Sequence, residues 1–403
     1  MQTDKKGFWT LRYTLLNAAY FAAFCTVHAL AAVYLLDNGF TNTQVGILLA
    51  VANITSAVFQ PMIAGIIDKP GWLTNRRFIL ISVIVIMAGS VILRFANGGK
   101  ALIFVIYAII YMIQFAYQPV MTALCFEYQK AGANIFYGLA RGLGSASFAV
   151  TSAIMGRAVE RNGTALLPVV TIITMIVSAI LIFTFKKPNV KDVDGQTAVY
   201  EKPKGTAHNS ITSFAKTYPA FMLFLLGTVC FYFAHNMIND FMIQIIRHLG
   251  GGETELGYSN FLQAILELPV MALIGFVLKK INARKLMVIS AVAFFVKTLI
   301  LIFATNMGWM YFSQSFQLLA YAVFIPATAY YVTDTMEELD QVKGQAYVTS
   351  AITMGGVFSN FLSGLILDHA GIKAMLITGT CAAAIGAVIA YIALKYLPHH
   401  KEV

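Results

Sequence analysis

Twelve apolar stretches of about 20 residues or more, six on each side of one polar segment, set the limits of what this chain can fold into. They run over 9–36, 43–67, 77–96, 101–127, 135–158 and 165–186, then over 215–248, 255–279, 284–304, 309–334, 343–367 and 372–396. Each is long enough to cross a hydrocarbon core about 30 Å thick, where no water can satisfy backbone N–H and C=O groups, so each must be helical. The expected fold is an all-α membrane protein of 12 transmembrane helices in two six-helix bundles, residues 1–186 and 215–403, joined by a cytoplasmic linker over 187–214. Only 11% of the 403 residues are charged, where a soluble chain carries about a quarter, which excludes a large soluble helical protein. Near-equal halves point to a duplicated unit, the architecture of secondary transporters rather than of enzymes.

The net charge of +10 would suit a nucleic-acid binder if it were clustered, but its distribution follows topology. With Lys5 and Lys6 placed in the cytoplasm, twelve spans bring both termini inside. The outside loops then hold only Arg94, Lys100, Arg157, Arg161, Arg247 and Lys373, and three bases lie within helices: Arg12, Arg141 and Lys297. The rest of the 28 lysines and arginines fall inside, as the positive-inside rule requires, so lipid and no nucleic acid is the expected environment. Lys5-Lys6 before an apolar run imitates a secretory signal, but no small-residue cleavage site follows, and an uncleaved first helix is expected. Cys25, Cys125, Cys230 and Cys381 lie singly in apolar runs without metal-ligand spacing and read as packing residues.

The halves echo each other. Gly65-Ile66-Ile67-Asp68-Lys69 followed by Arg76-Arg77 has a degenerate copy in Gly275-Phe276-Val277-Leu278-Lys279-Lys280 followed by Arg284-Lys285. The fifth segment carries Gly138, Gly142, Gly144, Ser145 and Ser147, and the eleventh Gly344, Ser350, Gly355 and Gly356. Small residues at such spacing let helix backbones approach closely, for rocking or for static packing.

Charges deep in a membrane helix cost about 2.5–3.5 kcal/mol on insertion scales, so each needs a reason. Glu267 lies twelve residues before Lys279 and Lys297 thirteen after Arg284, which puts both about 18–20 Å from the cytoplasmic side on antiparallel neighbours. Glu267–Lys297 therefore reads either as a proton site or as a permanent structural salt bridge. His235 is a second candidate for proton relay or a hydrogen-bonded packing residue, with Asn236, Asn239 and Asp240 beside it and His28 and Asn17 on the first segment. Glu127 and Arg141, near the inner mouth, read as a gate, a solute contact or a solvated pair. Tyr111, Gln114, Tyr117 and Gln118 on the fourth segment, with Gln314, Gln317 and Tyr321 on the tenth and Asn53 and Asn360, predict a neutral, aromatic, hydrogen-bonding lining suited to a polyhydroxylated or aromatic polar solute. No Gly-rich loop ending in Lys-Ser or Lys-Thr is present, so no nucleotide or other cofactor is expected and coupling falls to an ion gradient, with the proton as the expected ion.

At these residues the chain resembles the major facilitator superfamily, and within it the lactose-permease branch of oligosaccharide:proton symporters. The likeness is carried by Phe59-Gln60-Pro61-Met62-Ile63-Ala64-Gly65-Ile66-Ile67-Asp68-Lys69, by the Arg76-Arg77 end of the loop signature, and by Phe8-Trp9, Gly138-Leu139-Ala140-Arg141 and Gly257-Tyr258. The resemblance implies a central cavity, alternating access and proton-coupled sugar uptake. It further implies a sugar-contacting role for Arg141, an aromatic stacking role for Phe148, and a conformational gate at Asp68, Arg76 and Arg77. Lys297 falls at the family's helix-nine arginine, Glu267 at a sugar-binding asparagine, and Glu127 at a carboxylate beside the sugar-binding one. Where that branch has its remaining recognition and coupling carboxylates and bases, this chain has Ala123, Ala264, Leu318, Tyr321 and Phe324, so the proton site is expected at Glu267 instead.

The expectation is a monomeric permease of the cytoplasmic membrane that moves a small polar solute, a sugar first, by proton symport. Proton-coupled export of drugs or amphipathic solutes, carriage of nucleosides or aromatic acids, uncoupled facilitation and a non-transporting sensor are the alternatives.

Overall fold

The computed structural model describes residues 5–67, 71–95, 99–186 and 211–396. Among them every regular element is helical. The order is α1 (Lys5–Phe24), a π turn (Cys25–Ala29), α2 (Ala31–Asp37), α3 (Asn42–Ile67), α4 (Asn75–Phe95), α5 (Lys100–Lys130), α6 (Tyr137–Asn162) and α7 (Leu166–Thr184). The second series is α8 (Ile211–Thr217), α9 (Pro219–Asp240), α10 (Met242–His248), α11 (Glu253–Leu278), α12 (Ala283–Ile302), α13 (Met307–Ser315), a 3-10 turn (Phe316–Leu318), α14 (Tyr321–Thr335) and α15 (Glu338–Tyr396). Most of the expected linker lies outside the described residues, and its last four, 211–214, already belong to α8.

Among the described residues eight helices are long and apolar enough to cross a membrane, nine when the bent α1–α2 pair is one span. That is fewer than the dozen segments expected, for two physical reasons. Residues 343–396 count once although the chain leaves helical geometry at Gly371 (φ 78°), a left-handed conformation that separates 338–370 from 372–396. α6 and α11 do not qualify because glycine, serine and charge dilute them: Arg141, Arg157, Glu160 and Arg161 in one, Glu253, Glu255 and Glu267 in the other.

The chain divides into two compact units, 1–195 with 251–265, and 196–250 with 266–403, so the division falls within α11. In the first unit α1 packs along α6. A Cβ on Gly144 would stand 2.7 Å from the Phe21 ring, and the Ser147 hydroxyl donates to the Ala18 carbonyl at 3.0 Å. Gly138 and Gly142, expected in the same seam, have open space beside them. The start of α11 lies against α6 at Gly156 and Gly257, where a Cβ on either would run into the other helix's backbone. In the second unit α9 is embraced by both parts of α15. A Cβ on Gly355 would be 2.8 Å from the Val229 carbonyl, and one on Gly386 2.7 Å from the Gly227 carbonyl. Lipid supplies no hydrophobic drive between helices, so such close approach, with its dispersion contacts, is what holds them.

Side chains satisfy the carbonyls at the end of α7. Arg12 donates to the Thr184 carbonyl (2.8 Å), Arg76 to those of Ile182 (3.1 Å) and Phe183 (2.7 Å), and Tyr128 to that of Phe185 (2.8 Å). Two guanidinium groups thus sit on the negative end of α7, where the exposed carbonyls favour positive charge.

Candidate functional site

Two clusters of buried polar groups, one in each unit, are positioned by helix breaks. In the second unit the path of the tenth expected segment is interrupted between α13 and α14 by the 3-10 turn Phe316–Leu318. The turn holds Gln317, 3% exposed, between α11 and α12. The Lys297 ammonium, fully buried, donates to Gln317 Oε1 at 2.8 Å, and Gln317 Nε2 donates to Glu267 Oε1 at 2.9 Å. A lysine can only donate and a carboxylate only accept, so the amide has one self-consistent orientation and relays between the two charges. Glu267 also lies within electrostatic reach of Lys297. The Lys297 carbonyl accepts from the Ser313 hydroxyl (2.7 Å), which ties α12 to the end of α13. Gln317, expected as a solute contact, thus also links the two expected coupling residues.

His235, on α9, is nearly buried and stacks on Tyr321 (ring centroids 5.7 Å apart, 18° between planes). Its Nε2 pairs with the Asn239 amide at 2.9 Å, one helical turn on. Asn236 donates to the Tyr232 carbonyl (2.9 Å) and faces Gly356. Phe324, where the resemblance sets a coupling glutamate, is buried among Phe224, Phe231, Tyr232 and Phe294 as aromatic core.

The first-unit cluster is built at the π turn, which ends in a 49° bend between α1 and α2. A π turn inserts a residue into the helical ladder and re-aims side chains. Here it points His28 into an aromatic box. The ring stacks on Phe24 (4.0 Å, 13°) and meets Tyr111 at 3.8 Å and Phe115 at 4.6 Å, and Phe148 packs on Phe24 at 6.2 Å. Gln114, fully buried, stands beside His28 and interacts with it, but neither end of its amide completes a hydrogen bond of ordinary geometry. The same holds for the His28 ring nitrogens, the Tyr117 hydroxyl and Asn17 Oδ1. Buried polar atoms in this condition are the donors and acceptors a polar ligand or water would use. Phe24 and Phe115 were not singled out in the sequence, although the 24/28 and 111/115 spacings, each one helical turn, carry that signal.

Other expected site residues are placed differently. Arg141 donates to Ser145 (3.0 Å) and covers the Phe21 ring at 4.3 Å, while Glu127 accepts from Asn75 (3.0 Å). The cause is α6 packing on α1, which turns Arg141 onto Phe21. Arg76 caps α7, and Arg77 donates to the Trp72 carbonyl (2.6 Å) with its guanidinium over that ring. Asp68 lies outside the described residues. Among those residues no group of three or more His, Cys, Asp or Glu side chains could hold a metal ion.

Residues 9–377 match the model of the MFS_1 like family, and the chain belongs to that family, within the major facilitator superfamily of transporters. A search of curated proteins found no match. The fold is shared with solved transporters at low identity. A mutant of the nucleoside transporter NupG superposes with a TM-score of 0.76 at 16% identity, covering 96% of this chain and 98% of its own. The D-xylose-proton symporter gives 0.71 at 14%, covering 99% of each chain. A bacterial homolog of the human lysosomal transporter Spinster, inward-facing and unoccupied, gives 0.68 at 12%, covering 98% of each. The protein is a multi-pass membrane transporter of the major facilitator fold.

Proposed function

We propose that the chain is a proton-coupled permease of the cytoplasmic membrane that takes up a small uncharged polar solute, a sugar or a nucleoside, by alternating access. The observation that carries this reading is the Lys297–Gln317–Glu267 relay. With Glu267 ionised the triad is neutral overall; with Glu267 protonated it carries one positive charge. A conformation that exposes the triad to water and one that buries it therefore differ in their preference for the proton, which is what couples a gradient to a change of state. Twelve spans with both termini cytoplasmic, a monomeric assembly and no cofactor complete the proposal. The lactose-permease likeness supports the sugar reading, and so does the fold shared with a xylose symporter.

The nucleoside reading has its own support. The box of Phe24, His28, Tyr111 and Phe115 presents aromatic faces beside the Gln114 amide, chemistry suited to a planar base carrying hydrogen-bonding edges. It also agrees with the fold shared with a nucleoside transporter.

The test uses proteoliposomes and a panel of sugars and nucleosides. Solute addition should alkalinise the outside medium, and Glu267→Gln should abolish uphill accumulation while exchange of labelled solute continues. Undiminished accumulation in that variant would remove Glu267 from the coupling role.

A further inference from the structure

Arg157 and Arg161, expected in an outside loop, lie instead in the last two turns of α6. Gly156 on α6 meets Gly257 on α11 with no room for a Cβ on either. The residues that follow these glycines, Arg157 and Tyr258, line one cavity, and the Arg157 guanidinium lies over the Tyr258 ring at 5.1 Å. The cavity has a volume of about 410 Å³, and its walls also include Ile154, Arg161 and Asn162, all within the first unit. Ile154, Arg157 and Arg161 are exposed, so it opens outward from the helix pair.

The cavity holds two cations and no anion. Arg157 and Arg161 are one helical turn apart, where like charges repel, and among the described residues neither forms an ion pair or a hydrogen bond. The nearby carboxylates are placed elsewhere. Glu160 accepts from the Thr254 N–H (3.1 Å), Glu255 from the Gly252 N–H (2.8 Å) and Asp37 from the Thr164 hydroxyl. Neither these three nor Glu253, in the first turn of α11, line the cavity. The negative pole of α6 favours a cation in its last turn, which accounts for Arg161 but not for Arg157 one turn further in.

The rest of that helix face is apolar. At 100° per residue, positions 143, 150, 154, 157 and 161 share one face, and Leu143, Val150 and Ile154 on it are 46%, 52% and 60% exposed. In a multi-pass membrane protein such a stripe meets acyl chains, and its end in arginine and tyrosine marks the level of the headgroups. A guanidinium fork matches two phosphate oxygens at once.

We propose that this cavity binds the phosphate of an anionic phospholipid, held by Arg157 and Arg161, with acyl chain running along Ile154, Val150 and Leu143. An anionic lipid supplies the counter-charge the pair lacks, whereas the choline of a zwitterionic lipid brings a third cation to the site. The site shares no residue with the Glu267 relay or the His28 box and stands whether or not either acts as proposed.

The test titrates the full chain, purified in detergent, with mixed micelles of phosphatidylglycerol or phosphatidylcholine at constant ionic strength, and reads Tm. Phosphatidylglycerol should raise Tm saturably at mole fractions where phosphatidylcholine does not. Arg157→Gln or Arg161→Gln should weaken the apparent affinity about fivefold, the factor equivalent to about 1 kcal/mol per base near an anionic surface. The double variant should respond equally to both lipids, and the single variants serve if it does not fold. Arg94→Gln combined with Lys373→Gln removes as many exposed cations elsewhere and should leave the preference intact. An equal response of the unaltered protein to both lipids would overturn the proposal. So would a preference that survives Arg157→Gln and Arg161→Gln, or one lost as fully in the Arg94 and Lys373 variant. A rise in Tm with sodium phosphate alone that Arg157→Gln removes would also overturn it, by giving the cavity to a soluble anion.

Discussion

The two buried clusters differ in kind. That of the first unit is aromatic and neutral: His28 in its ring box, with Gln114, Tyr117 and Asn17 holding polar atoms that the protein does not use. That of the second unit is ionic: Glu267 and Lys297 joined through Gln317, with Asp240 nearby in sequence to His235. Unspent donors and acceptors suit recognition, because a ligand can satisfy them. A bridged charge pair suits energy coupling, because its net charge changes with one proton. The two units thus carry different chemistry at their polar centres.

That division can be broken experimentally. The largest effect is expected for Glu267→Gln, which should lower proton-driven accumulation tenfold or more while exchange persists. If Gln114→Ala abolished coupling as completely, the contrast between the clusters would be lost. Gln317→Leu comes next, since it removes the amide joining the charges, and a hydrogen bond to a charged group is worth about 1.5–3 kcal/mol. Accumulation should fall about tenfold, and the pH profile of uptake should shift. In the first unit, Tyr111→Ala should raise the solute Kd by roughly 2–12-fold, the range of about 0.5–1.5 kcal/mol for one aromatic contact, with the ratio of protons to solute unchanged. A change in that ratio would assign the box to coupling. The smallest effect is expected away from both clusters: Arg76→Ala should uncover two carbonyls at the end of α7 and cost about 1 kcal/mol, seen as a fall of a few degrees in Tm with transport kinetics preserved.

Much of the architecture is legible in the residues because lipid allows so few solutions. Apolar length forces helix, and the depth of Glu267 and Lys297 follows from counting 1.5 Å per residue to the nearest basic loop. The breaks were not legible. Nothing in Cys25–Ala29 or Phe316–Leu318 marks a π or 3-10 turn by composition, since neither stretch contains proline or glycine. Yet those turns aim His28 and Gln317. The direction of Arg141 is hidden for a related reason: proximity in sequence to the same membrane face says nothing of rotation about the helix axis. Packing against Phe21 decides where Arg141 points.

The residues alone thus determined that this chain is a helical membrane protein, because the solvent leaves a backbone no alternative. Only the tertiary structure decided that Gln317 joins Glu267 to Lys297, and that His28 stands in a ring of aromatics. Those contacts depend on the local unwinding of a helix and on how one helix is rotated against its neighbour, and many sequences with the same hydropathy would set both differently.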